Sequence, residues 1–157
     1  MRHRKRTFKL GRNSSHRRCM MANMIKSLIE HGKIETSVRK GKELKRQADS
    51  IITLAKKGDL ASLRRIKAKL MIRFNKLSSK ERRSVKEGST APLNGDRKVF
   101  RKLFSEVPQR FMDRPGGYTS LVRTSFRRGD SSERCIVSLV APSSAVAAEP
   151  EQSKQVS

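Results

Sequence analysis

The sequence predicts an α+β domain of two layers, with helices on one face of a small three-stranded mixed sheet and elements in the order α-β-α-α-α-β-β. Three observations lead there. Apolar residues recur at helical spacing in four stretches between about residues 15 and 107. They alternate at period two in one short run near residue 35 and in two runs after residue 118. Apolar residues make up only 34% of the 157-residue chain, with no Trp, so one small core is all it can fill. Helices covering one sheet face need no more than that.

Each element has its own justification. Ser14 or Ser15 is suited to cap a first helix running to about His31, with Met20, Met21, Met24, Ile25, Leu28 and Ile29 on its buried face. Gly32 supplies the left-handed stop. Lys33 to Val38 alternates, with Ile34, Thr36 and Val38 on one side, as a half-buried strand does. A second helix covers about Arg39 to Lys57, turning Leu44, Ala48, Ile51, Ile52 and Ala55 inward, and Gly58 ends it. Asp59 caps a third, expected to reach Leu77 along the stripe Leu63, Ile66, Leu70, Phe74 and Leu77. Arg64, Arg65, Lys67, Lys69 and Arg73 make its other face basic.

Periodicity fades between Ser78 and Gly95, which reads as a loop or a short helix plus loop. Asp96 is placed to cap a fourth helix that buries Val99, Phe100, Leu103 and Phe104 and closes before Pro108. Tyr118 to Phe126 and Glu133 to Val140 form a hairpin around Arg127-Arg128-Gly129-Asp130, with Cys135, Val137 and Leu139 inward. The domain spans 1–140, and residues 141–157 have the composition of a disordered tail.

The ends of this plan are less neutral than its middle. The chain has 38 basic and 14 acidic residues, a net charge of +24, and an isoelectric point near 11.3. Residues 1–18 hold eight of the cations (Arg2, Arg4, Lys5, Arg6, Lys9, Arg12, Arg17, Arg18), and the first carboxylate is Glu30. Such an arm repels itself, buries little, and matches a dense polyanion. No apolar run reaches the roughly 18 residues of a membrane span, and no signal-peptide core follows the basic stretch. Cys19 and Cys135 lack metal-ligand spacing and read as reduced cytosolic thiols.

Catalytic constellations fare poorly. His3, His16 and Cys19 fit no zinc pattern, and Cys19 with His16 or His31 lacks an acid and an oxyanion motif. Glu30, Glu35, Asp49 and Asp59 sit among Lys and Arg as charge partners. Gly116-Gly117 lacks the phosphate-loop spacing and reads as a tight strand entry that lets a phosphate approach. No motif for sequence-specific base reading is present, so backbone and shape recognition of RNA is the expectation. The arm cations are its phosphate contacts, with His3 phosphate-facing and Asn13, Ser15 and His16 adding hydrogen bonds. Arg110, Arg114 and Arg128 form a second patch. Phe8, Phe111 and Tyr118 are the aromatics available to stack on bases, while Phe74, Phe100, Phe104 and Phe126 fit the core.

Several motifs resemble the bacterial large-subunit ribosomal protein seventeen family. They are Met1-Arg2-His3-Arg4-Lys5, the run Arg12-Asn13-Ser14-Ser15-His16-Arg17, Lys42-Glu43-Leu44-Lys45-Arg46, Lys102-Leu103-Phe104, Arg110-Phe111, Gly116-Gly117-Tyr118-Thr119 and Arg128-Gly129-Asp130. Residues 57–101 are longer than in compact members, and Ser120 stands where Arg is common. The resemblance implies a structural, non-enzymatic component of the large subunit in the cytoplasm, with no cofactor, small-molecule substrate or membrane. Its implied partners are large-subunit rRNA and neighbouring ribosomal proteins near the peptide exit side.

Overall fold

In the computed structural model, residues 8–140 are described, and five helices and three strands follow one another. They are α1 (Ser14–His31), β1 (Lys33–Ser37), α2 (Val38–Lys57), α3 (Leu60–Lys69), α4 (Ser79–Lys86), α5 (Gly95–Arg110), β2 (Thr119–Phe126) and β3 (Glu133–Leu139). The expected tail, 141–157, lies outside the described residues.

The sheet is antiparallel throughout, in the order β1-β3-β2, which corrects the expected mixed sheet. β1 and β2 both run against the central β3, with Ile34 opposite Val137 and Leu121 opposite the same residue. Cys135 and Val137 are fully buried beneath α2, as the alternation predicts. α2 crosses close to the sheet because Gly41 has no side chain: a Cβ there would lie 2.5 Å from the Cys135 Sγ and 3.1 Å from Leu121. Thr119 Oγ1 donates to Asp49 Oδ1 at 2.9 Å and ties β2 to α2. Register slips between Arg123 and Phe126, and on β2, an edge strand of the described sheet, Val122 is 58% and Phe126 65% exposed. Phe126 is therefore not a core residue.

α1, α3 and α5 complete the core around α2, joining Ile25, Leu28, Leu44, Ile51, Ile66, Leu70, Leu103 and Phe111. Glu43 is buried with its carboxylate satisfied, accepting from Arg46 at 2.6 Å and Gln47 at 2.7 Å. Gly32, at φ 76°, ends α1 as expected, while Val38 opens α2 and does not belong to β1.

Other boundaries differ from expectation for local reasons. Asn13 caps α1, and Ser14 and Ser15 do not; the Asn13 side chain accepts from the His16 N–H at 3.0 Å. α3 stops at Lys69, short of Leu77, because Met71 turns left-handed at φ 50°. Met71 and Ile72 then donate to the Ala68 and Lys67 carbonyls, closing the end in the two-bond pattern usually built on Gly. Residues 72–78 continue without helix, and Phe74 is 38% exposed.

α4 is capped by Ser78 and Glu81 exchanging bonds in a capping box. Asn94, not Asp96, caps α5, accepting from the Arg97 N–H at 3.0 Å. α5 also continues through Pro108 to Arg110. Pro108 gives up the bond to the Phe104 carbonyl and crowds it, but only two helical residues follow, so little helix remains to be disrupted.

Candidate nucleic-acid interface

The arm's root is a defined turn. The Arg12 N–H donates to the Lys9 carbonyl at 3.3 Å, with Leu10 and Gly11 both left-handed. Arg17 reaches back from α1 to the Lys9 and Arg12 carbonyls at 3.4 and 3.2 Å. Arg12 lies 3.3 Å from the His16 ring. Ser15 Oγ donates to Asn13 Oδ1 at 3.4 Å. Arg17 is thus largely occupied in setting the arm's direction, while Lys9, Arg12 and Arg18 remain exposed. Arg2, His3, Arg4, Lys5 and Arg6 lie outside the described residues.

That root leans on the start of α2: Phe8, Lys9, Leu10 and Gly11 share a cleft with Ser37, Arg39 and Lys40. The first turn of α2 holds no acid, and Ser37 makes no side-chain cap, so basic residues stand where carboxylates normally answer the helix dipole. On the other side of Lys40, Arg127 and Arg134 enter a second cleft with Glu35 and Ser132. Arg134 pairs with Glu35 at 2.5 Å. Arg127 is clipped to Asp130, its Nε donating to Oδ1 at 2.9 Å, and that bond holds the Asp130 carboxyl down to about 2. Arg39, Lys40 and Arg134 were missed by sequence reasoning, since only the fold brings them beside the arm.

The expected second patch is not one patch. Arg128 lies in the hairpin turn at this same end of the molecule. Arg110 sits at the opposite end of the hairpin, its Nε donating to the Val140 carbonyl at 3.0 Å. β2 between the two ends has eight residues, roughly 26 Å at strand spacing. Arg114 is beside Arg110's end; its carbonyl accepts from Lys56 Nζ at 2.7 Å. Gly116 and Gly117 are exposed there, with Gly117 at φ 67°. The Tyr118 ring is not available for base stacking: it and Phe111 are each 1% exposed and pack together at 5.2 Å. The Tyr118 hydroxyl donates to the Pro115 carbonyl at 3.2 Å.

A third basic cleft lies between α1, α2 and α3, where Arg18, Arg46 and Lys69 meet around Gln47 and Ser50. Among the described residues no three His, Cys, Asp or Glu gather as metal ligands, and no helix is long and apolar enough to cross a membrane. Cys19 is exposed, with its Sγ 3.6 Å from Met71 Sδ, while Cys135 is buried.

These surfaces can hold an extended polyanion by charge and hydrogen bonding. A family model described as Ribosomal protein L17 matches residues 20–140. The large ribosomal subunit protein bL17 of Chlamydia pneumoniae is 50% identical over 141 residues, covering 90% of this chain and 99% of that protein. Its counterpart in Protochlamydia amoebophila is 53% identical over 137 residues, covering 87% and 96% respectively. That of Chlamydia abortus is 51% identical over 141 residues, covering 90% and 99%. The chain therefore belongs to the ribosomal protein L17 family.

Proposed function

We propose that this protein is a structural constituent of the large ribosomal subunit, in the cytoplasm, which binds large-subunit rRNA through its basic arm and the surfaces around the arm's root. Membership of the family makes it a structural, non-enzymatic protein. One observation carries the RNA reading: the arm's root, the first turn of α2 and the hairpin tip come together, so Lys9, Arg39, Lys40, Arg127 and Arg134 line adjoining clefts. Three chain segments then present cations to one partner, and neutralising phosphates there releases condensed counterions. Asn13, Ser15 and His16 orient the arm, and Arg2, His3, Arg4, Lys5 and Arg6 extend the same charge along it. Arg110 and Arg114, with Gly116 and Gly117, form a separate contact at the far end of the hairpin. Neighbouring large-subunit proteins complete the surroundings.

Removing residues 2–12 tests this and keeps the Asn13 cap. The shortened chain should fold with unchanged circular dichroism, bind rRNA with a shallower salt dependence, and be missing from large subunits on sucrose gradients. Each lost phosphate contact should reduce the log–log salt slope by roughly 0.7–0.9. Full incorporation of the shortened protein would sink the proposal.

A further inference from the structure

The groove between α4 and α5 has no part in the contacts described so far. Phe74 from the 72–78 segment and Phe100 and Phe104 from α5 wall it, with Val85 of α4 opposite. Phe74 and Phe100 meet edge to face at 5.4 Å, and Phe100 and Phe104 lie 4.7 Å apart. Among the described residues no carboxylate lines the groove; Arg97 and Arg101 do. Lys67 Nζ and the Arg97 guanidinium carbon stand 4.8 and 4.9 Å from the centre of the Phe74 ring. α4 has no fully buried residue, so it borders this groove without closing it.

The requirements on an occupant are specific. It must offer a flat apolar surface to the phenyl rings and negative charge or acceptors to the cations. Arg97 narrows the choice further. Its Nη2 donates to the Asn75 carbonyl at 2.8 Å, which fixes the guanidinium as a cation on the groove wall. An aliphatic side chain would cover the rings and leave the Arg97 and Arg101 charges unanswered. A carboxylate would answer the cations and waste the aromatic wall. A nucleotide meets both demands, since every base has a π-face, acceptors on its edge and a phosphate attached.

We propose that this groove holds an unstacked base of single-stranded RNA, with Phe100 and Phe104 as the stacking wall and the Arg97 and Arg101 guanidiniums taking its edge and phosphate. The inference rests on the RNA-binding reading above, but it concerns a different face and a different kind of recognition. The arm grips phosphates whether the RNA is single- or double-stranded. The groove distinguishes a free base from a paired one.

Three probes bound to the full chain separate the possibilities: a short single strand carrying 2-aminopurine, the same strand abasic at that position, and a duplex. The base-bearing strand should bind about tenfold more tightly than the abasic one, with its fluorescence quenched. Phe104→Ala should abolish that ratio and the quenching while leaving duplex affinity and its salt slope unchanged. Phe104→Leu, which keeps an apolar side chain but no π-face, should weaken both in the same direction and guards against a folding artefact.

Equal affinity for base-bearing and abasic strands, with duplex binding intact, would overturn the groove assignment and leave the arm's role standing. Quenching that survives both variants would place the base elsewhere and overturn it too. Absence of salt-dependent binding to all three probes would remove both readings together. In assembled subunits, a photocrosslinker at position 104 should capture RNA; capture of protein alone would assign the groove to a protein neighbour instead.

Discussion

Gly41 shows how much of the packing between helix and sheet turns on a single missing carbon. Its α2 position would favour Ala by about 1 kcal/mol on helix propensity alone. The Cβ of Ala, however, would come 2.5 Å from the Cys135 Sγ, 3.1 Å from Leu121 Cδ1 and 3.2 Å from Val137 Cγ2. Overpacking of this kind costs roughly 1–3 kcal/mol. Gly41→Ala should therefore destabilise in urea denaturation, and adding Cys135→Ala should recover much of the loss; additive effects would mean the two do not touch. At the other end of the core, Asn13 holds one of the free N–H groups of α1. Asn13→Ala should lower stability by about 1 kcal/mol. It should also loosen the turn at Lys9–Arg12, seen as faster amide exchange there.

Among the elements, those with clean periodicity were legible before any coordinates. α1, α2 and the hairpin lie within a residue or two of expectation because burial imposes periods of 3.6 and 2 on them. The end of α3 was not legible, because Met71 adopts the left-handed conformation that sequence rules reserve for Gly or Asn. Ser78 and Glu81 did carry a readable cap, in a segment too polar for periodicity to support a helix. The candidate site was readable in part: the arm's composition announced a polyanion partner, whereas Arg39, Lys40 and Arg134 join it only through the β1–β3 pairing. Phe111, Tyr118 and Phe126 exchanged expected places: the first two pack on each other in the core, while Phe126 lies past the register slip in β2 and turns outward.

What holds the extended 72–78 segment is Asp96, which accepts from the Arg73 N–H at 2.7 Å and pairs with Lys26 at 2.7 Å. Partial burial works against its ionisation, but the Arg73 N–H and Lys26 outweigh it and hold the carboxyl below its ordinary value of 3.8. A lowered folded pKa stabilises above 3.8 and loses that contribution as pH falls through the folded value. Asp96→Asn should cost roughly 1–3 kcal/mol at pH 7. The gap from the unmodified protein should shrink below pH 3.8 in denaturation curves taken at several pH values.

At the scale of the whole molecule, charge is distributed around a small core. The arm's root, the start of α2 and the hairpin tip share one end, Arg110 and Arg114 the other, and α3 carries Arg64, Arg65, Lys67 and Lys69 exposed along its length. A surface so one-signed keeps copies of the chain apart as well as attracting polyanions.

The open edge of β2 gives that repulsion a second purpose. Val122 and Phe126 stand exposed on a strand whose outer side has no neighbour in the sheet among the described residues, the arrangement most prone to pairing with another copy. The net charge of +24 is what holds two such edges apart in free solution. Salt shortens the reach of that protection from ~10 Å at 0.1 M to about 3 Å at 1 M. Light scattering of the free protein should therefore show self-association rising with ionic strength, and Phe126→Lys should suppress it. A high-salt wash of the kind that would strip bound RNA is the same condition that disarms this guard against the protein's own kind.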